Sequence, residues 1–204
     1  MEGFKMKNQI ILLTIFILVL SCSTNTEPAE TKSETYSLED YYPLSIGNNW
    51  IQVAISRISD TLSFERYIID TLRNTEGQIV YKTKAGSRNF PEGINYDYIY
   101  YYWDENGLWE GGCVDCFDQS THTLSLSGKK LLLKTEVEPN EKWDNYQFKE
   151  LQEQVTFIYN DEEYVYKDVA VIANLQNGSL LYFARNIGFI GNEEGWILVD
   201  YTIK

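Results

Sequence analysis

Three groups of residues could do chemistry. Cys113-Val114-Asp115-Cys116 is a close thiol pair set between Gly111-Gly112 and Phe117-Asp118. In an oxidising compartment such a pair is expected to join. Closing so small a ring is worth only about 2 kcal/mol by loop entropy, enough to pin a loop. A redox role needs the first thiol at a helix start, where its pKa falls. The glycine-rich flank and strand-rich surroundings favour a structural disulfide, with redox, metal-bound or free thiols as alternatives. Zinc needs four ligands, and two thiols, His122 and an aspartate would meet only by chance. Haem attachment would need a histidine where Phe117 stands.

Tyr96, Tyr98, Tyr100 and Tyr102 are spaced by two, which places them on one face of a strand. Trp103 and Trp109 flank the turn Asp104-Glu105-Asn106-Gly107. Cross-strand aromatic pairs that stabilise a sheet are the plainer reading. The functional one is a stacking platform for a sugar, peptide or lipid, rimmed by the two indoles. Acidic clusters at Asp104-Glu105, Asp115/Asp118, Asp161-Glu162-Glu163 and Glu193-Glu194 form the third group. None has calcium-loop spacing, so solvated turns are the expectation. There is no Gly-x-Ser-x-Gly elbow and no phosphate-binding glycine loop, and one His leaves little material for histidine catalysis. The sequence therefore points to no catalytic residue, no metal and no cofactor.

Compartment is set by the first 22 residues. Lys5 and Lys7 precede an apolar run, Ile10–Leu20, broken only by Thr14 and closed by Ser21-Cys22. Basic start, apolar run and small ending are the parts of a secretory signal. The run falls short of the roughly 20 residues a spanning helix needs. Val19-Leu20-Ser21-Cys22 resembles the lipobox of bacterial lipoproteins. That resemblance implies removal of residues 1–21 and acylation of Cys22, with two or three chains giving a durable anchor. The expected location is the cell envelope, on the outer membrane, facing the periplasm or the surface. Residues 22–35, polar and low in complexity, read as a flexible tether. The first acid after the cysteine is Glu27, so surface display is not favoured over the periplasmic side.

Residues 36–204 read as one globular domain. Sixteen tyrosines and 15% aromatics favour strands over helices. Ser37-Leu38-Glu39-Asp40 carries a weak capping signal for one helical turn. Period-two alternation begins at Trp50, with Ile51, Val53 and Ile55 sharing a face. Leu62, Phe64 and Ile68 share another, which Arg66 interrupts. Ser127-Gly128 reads as a turn. The start of Phe148–Tyr159 could be helical, Asn160-Asp161 turns the chain, and Asn177-Gly178 is the strongest hairpin signal. These segments predict a mainly β domain of about ten antiparallel strands, as a strongly bent sheet or open barrel, with a β-sandwich second.

Two blocks carry a further resemblance. Pro43-Leu44-Ser45-Ile46-Gly47-Asn48-Asn49-Trp50 resembles the opening of uncharacterised β-rich lipoproteins, notably from Bacteroidota. Ala184-Arg185-Asn186-Ile187-Gly188-Phe189-Ile190 resembles a late block of the same families, placed before a final strand. The resemblance implies architecture and no activity.

Net charge is −13, and removing a leader with Lys5, Lys7 and Glu2 leaves the mature chain more acidic still. Such a surface repels nucleic acid and anionic headgroups. The expectation is a lipid-anchored, non-catalytic module that meets the membrane through its anchor and binds a glycan, lipid or protein. The alternatives are a carboxylate-based hydrolase acting on envelope glycans and a purely structural domain.

Overall fold

The computed structural model describes residues 34–55, 62–89, 93–112, 117–118, 120–121 and 123–204. The leader, Cys22, most of the tether, Cys113, Cys116 and His122 lie outside the described residues. The strands are β1 (Tyr36–Ser37), β2 (Asn49–Ala54), β3 (Ser63–Asn74), β4 (Ile79–Asn89), β5 (Gly93–Trp103) and β6 (Gly107–Gly112). Next come β7 (Phe117–Asp118), β8 (Thr123–Leu124), β9 (Ser127–Lys134), β10 (Glu136–Val137) and β11 (Lys142–Trp143). Last come β12 (Tyr146–Tyr159), β13 (Glu162–Asn174), β14 (Leu180–Ala184), β15 (Gly188–Asn192) and β16 (Trp196–Thr202).

Twelve strands follow one hydrogen-bonded path, β11-β12-β13-β14-β15-β16-β2-β3-β4-β5-β6-β9, antiparallel throughout. Most neighbours along the path are also neighbours in sequence. The long-range joint is β16 on β2, with Trp196 opposite Ala54 and Thr202 opposite Asn49. The two ends of the path meet: the Leu131 N–H donates to Asp144 Oδ2 at 3.0 Å, and Leu131 and Leu133 share a cluster with Trp143, Tyr146 and Phe148. The domain is thus a nearly closed antiparallel barrel. Closure leaves few unpaired edges, which a bent open sheet would expose.

The segment before β2 plugs one end of this barrel. A single 3-10 turn, Glu39–Tyr41, follows Leu38, and Leu38, Tyr41 and Tyr42 are buried. No side chain caps the turn, so Ser37 does not play the expected capping role. Tyr42 reaches inward, its ring 5.7 Å from Trp50 and 5.3 Å from Tyr101. Gly47, at φ +91°, turns the chain into β2. Buried Asn48 ties the corner: its Nδ2 donates to Pro43 O, and its Oδ1 accepts from the Lys204 N–H.

Ile51 and Val53 share a face of β2, as alternation requires; that face is half-buried, and the buried one is Trp50, Gln52 and Ala54. Other local expectations are refined. The start of Phe148–Tyr159 is strand, because β12 pairs with β13 along its length. The tight two-residue hairpin is Asn160-Asp161, where both residues have positive φ, 51° and 64°. Asn177-Gly178 lies, as expected, in a hairpin, that of β13 and β14, but its loop is longer, closed by Asn174 N–H to Ser179 O, and only Gly178 of the two has positive φ. Ser127-Gly128 opens β9, with an irregularity in its pairing to β6. Ala184–Ile190 spans the end of β14, a turn and the start of β15, so it is not a simple connector.

Candidate functional site

The tyrosine ladder of β5 is not a free shelf. Tyr100 and Tyr102 are 6% and 3% exposed, in a cluster with Val80, Leu124 and Leu126. The residues after β7 supply that cover. Trp109 stacks on Tyr102 at 6.3 Å and 11°. Tyr98 is half exposed, with Lys82 Nζ 4.2 Å from its ring centre. Lys84 Nζ stands 3.8 Å from the Tyr96 ring. Trp103 packs against the interior cluster, and its Nε1 donates to Tyr42 O. The six aromatic candidates are therefore divided between the wall's outer surface and the barrel interior.

The interior holds a different constellation. A cavity of about 240 Å³ is lined by Tyr42, Arg66, Tyr101, Glu110, Lys130 and Phe183, among others. A second, of about 320 Å³, is lined by Gln52, Phe64, Arg66, Phe189, Asn192 and Trp196. Arg66 borders both. Cross-strand register explains why these side chains meet. Trp50 faces Arg66, Gln52 faces Phe64, Tyr101 faces Glu110 and Glu110 faces Lys130, so each pair projects to the same side of the sheet. The mouth of the first cavity carries Asn177 and Glu194, exposed residues of the β13–β14 and β15–β16 loops, bonded to each other.

Glu110 is doubly held: Lys130 Nζ lies 2.8 Å from one oxygen, and the Tyr101 hydroxyl donates to the other at 3.1 Å. Arg66 is less well served. Its guanidinium carbon lies 4.9 Å from the Phe64 ring centre and 5.6 Å from that of Phe189. Its Nε is buried with no hydrogen-bond partner. Burial would lower its pKa, but Tyr42, Tyr101 and Glu110 outweigh that and raise it. Burial, partly offset by Arg66, raises the Tyr42 pKa; Tyr101 is raised well above the usual range, by burial first and then by Tyr42 and Glu110. The cavity thus holds a fixed cation beside neutral phenols and aromatic faces. It can orient an anionic group and bury an apolar one.

Arg66 could have been found from sequence, because a charge interrupting the apolar Leu62, Phe64, Ile68 face is a signal. Glu110 and Lys130 gave none, since they meet only through the β6–β9 pairing across an intervening excursion. Among the described residues no cluster of His, Cys, Asp and Glu is arranged to hold a metal.

Fold and cavity together define a class: a nearly closed antiparallel β-barrel, plugged at one end and hollow beside the plug. No family model and no curated protein matches the chain. Among solved structures, a candidate lipoprotein from Parabacteroides distasonis is similar, with a TM-score of 0.42, 8% identity, and coverage of 80% of this chain and 99% of that one.

Proposed function

We propose that the protein is an envelope lipoprotein, tethered through acylated Cys22 and residues 22–35, whose barrel is a non-catalytic module that binds a small ligand inside its wall. The observation that carries the binding reading is the interior cavity around Arg66, with aromatic lining and a mouth at the β13–β14 and β15–β16 loops. The tyrosine face of β5 supports binding less well, since its rings are buried or covered by lysines. A carboxylate-based hydrolase would need two facing carboxylates. In the cavity Glu110 is engaged by Lys130 and Tyr101, and Glu194 sits at the rim on Asn177.

The tether rests on the basic, apolar, Ser21-Cys22 leader. Cys22→Ser is expected to abolish acylation and processing at this site. The full chain should then leave the detergent-soluble membrane pool, or remain there only with its leader uncut. Cell fractionation with intact mass measurement checks this. A mature-sized variant still sedimenting with the membranes would overturn the lipid anchor.

A further inference from the structure

We infer that the barrel cavity recognises a small amphipathic monoanion, a carboxylate on an apolar or aryl body, whose carboxylate sits on Arg66. This rests on the reading that the barrel interior is the binding site, and it names the chemistry of the occupant.

The first support is the state of Arg66. Among the described residues no carboxylate forms an ion pair with it, and its Nε is buried and unpartnered. A buried charge is strongly disfavoured unless paired and hydrogen-bonded. The Phe64 and Phe189 faces, a hydrogen bond to the Tyr42 hydroxyl and the field of Glu110, itself held by Lys130, offset only part of that. A guanidinium is a planar fork of donors, and the group that matches it in two parallel bonds is a carboxylate or a phosphate.

The second support is the charge balance of the lining. The basic residues of the lining are Arg66 and Lys130, and the acidic ones are Glu110 and Glu194. Lys130 is already matched to Glu110 at 2.8 Å. Glu194 stands at the mouth. One inner positive charge remains to be met, and a negative residue guards the entrance. That arrangement favours one negative charge over the two of a phosphate monoester.

The third support is the remaining surface. Phe64, Phe189 and Trp196 line the second cavity beside Arg66, and Leu181 and Phe183 line the first. Phe64 and Trp196 already meet edge to face at 6.2 Å. Volumes of about 240 and 320 Å³ fall near the lower end of small-molecule sites. A compact aryl or short alkyl body suits them better than a long chain or an oligosaccharide.

The test uses the full chain in nonionic detergent and four probes with one apolar body: hydrocinnamate, hydrocinnamyl alcohol, hydrocinnamylamine and hydrocinnamyl phosphate. Titration calorimetry is expected to give hydrocinnamate about tenfold tighter than the alcohol or amine, and tighter than the phosphate. Arg66→Gln should abolish the preference, so that hydrocinnamate and the alcohol bind the variant alike. Arg66→Lys, which keeps the charge and loses the fork, should fall between. Far-UV circular dichroism with cooperative melting checks that the variants fold, and the four-probe ranking in the unmodified chain needs no variant. Equal binding of acid and alcohol, tighter binding of the phosphate, or unchanged hydrocinnamate affinity in a folded Arg66→Gln would overturn the carboxylate assignment while leaving an interior site in place. Binding of none of the four would overturn both.

Discussion

Trp50→Ala is expected to cost about 3–5 kcal/mol of folding stability, the usual penalty for emptying a large aromatic site in a core. Trp50 is 2% exposed and shares a cluster with Ile68, Val169, Ala184, Ile190 and Leu198. It also stacks on Tyr42 of the plug. Its Nε1 donates to Ile187 O at 2.5 Å, across 137 residues of sequence. Gly188 follows that carbonyl at φ +105°, and a Cβ there would lie 3.3 Å from the Trp50 Nε1. One side chain therefore joins the plug, β2 and the β14–β15 turn. Urea unfolding should show a lower midpoint, and the melting temperature should drop by roughly 10 °C. Trp50→Phe, which keeps a ring and strands the Ile187 carbonyl, should lose about 1–3 kcal/mol. Unchanged stability in the alanine variant would mean that the plug is not fastened there.

Gly107→Ala is expected to destabilise the barrel by about 2–5 kcal/mol, combining the left-handed backbone penalty with overpacking. Gly107 ends the β5–β6 turn at φ +151°. A Cβ there would overlap the Leu133 carbonyl oxygen and lie 2.8 Å from Lys134 Cα, both backbone atoms of β9. Neither can swing aside as a side-chain tip would. Asp104 organises the turn by accepting from the Asn106 and Gly107 N–H groups at 2.8 and 3.1 Å. The substitution should loosen β9 from β6 and with it the Lys130–Glu110 contact. Chemical denaturation against Gly77→Ala gives the comparison, since a Cβ at Gly77 meets nothing within 4 Å although its φ is +83°. Equal losses at the two glycines would show that φ alone matters and that the close approach of β9 does not.

The strands were legible because alternation survives in a wall with one wet face. The barrel was only half legible. Its short turns could be read locally, but closure depends on β16 finding β2 across the whole chain, and no local pattern encodes that. The two late and early blocks, Pro43–Trp50 and Ala184–Ile190, looked independent in sequence; the Trp50–Ile187 bond joins them. Alternation told which residues share a face but not which face is buried: Ile51 and Val53 share one, while Trp50, Gln52 and Ala54 hold the inward positions, since the interior here accepts a polar amide bonded to Phe189 O. The hairpin signal at Asn177-Gly178 marked a real β13–β14 hairpin, but not its width, because Asn174 and Ser179 close a longer loop that shapes the cavity mouth. The tyrosines were correctly placed on one face, but an excursion of few apolar residues covers two of them. The cavity itself showed in sequence only as Arg66, one charge where an apolar residue belonged.

Ligand is expected to enter the barrel and not to settle on the outer face of β5. Photolabelling of the full chain with a diazirine-bearing hydrocinnamate, followed by peptide mapping, tests it most directly. The label is predicted on peptides carrying Phe64–Arg66, Leu181–Phe183 or Phe189–Asn192, with competition by unlabelled hydrocinnamate. Competable label confined to Tyr96–Tyr98, with none on those three segments, would contradict it.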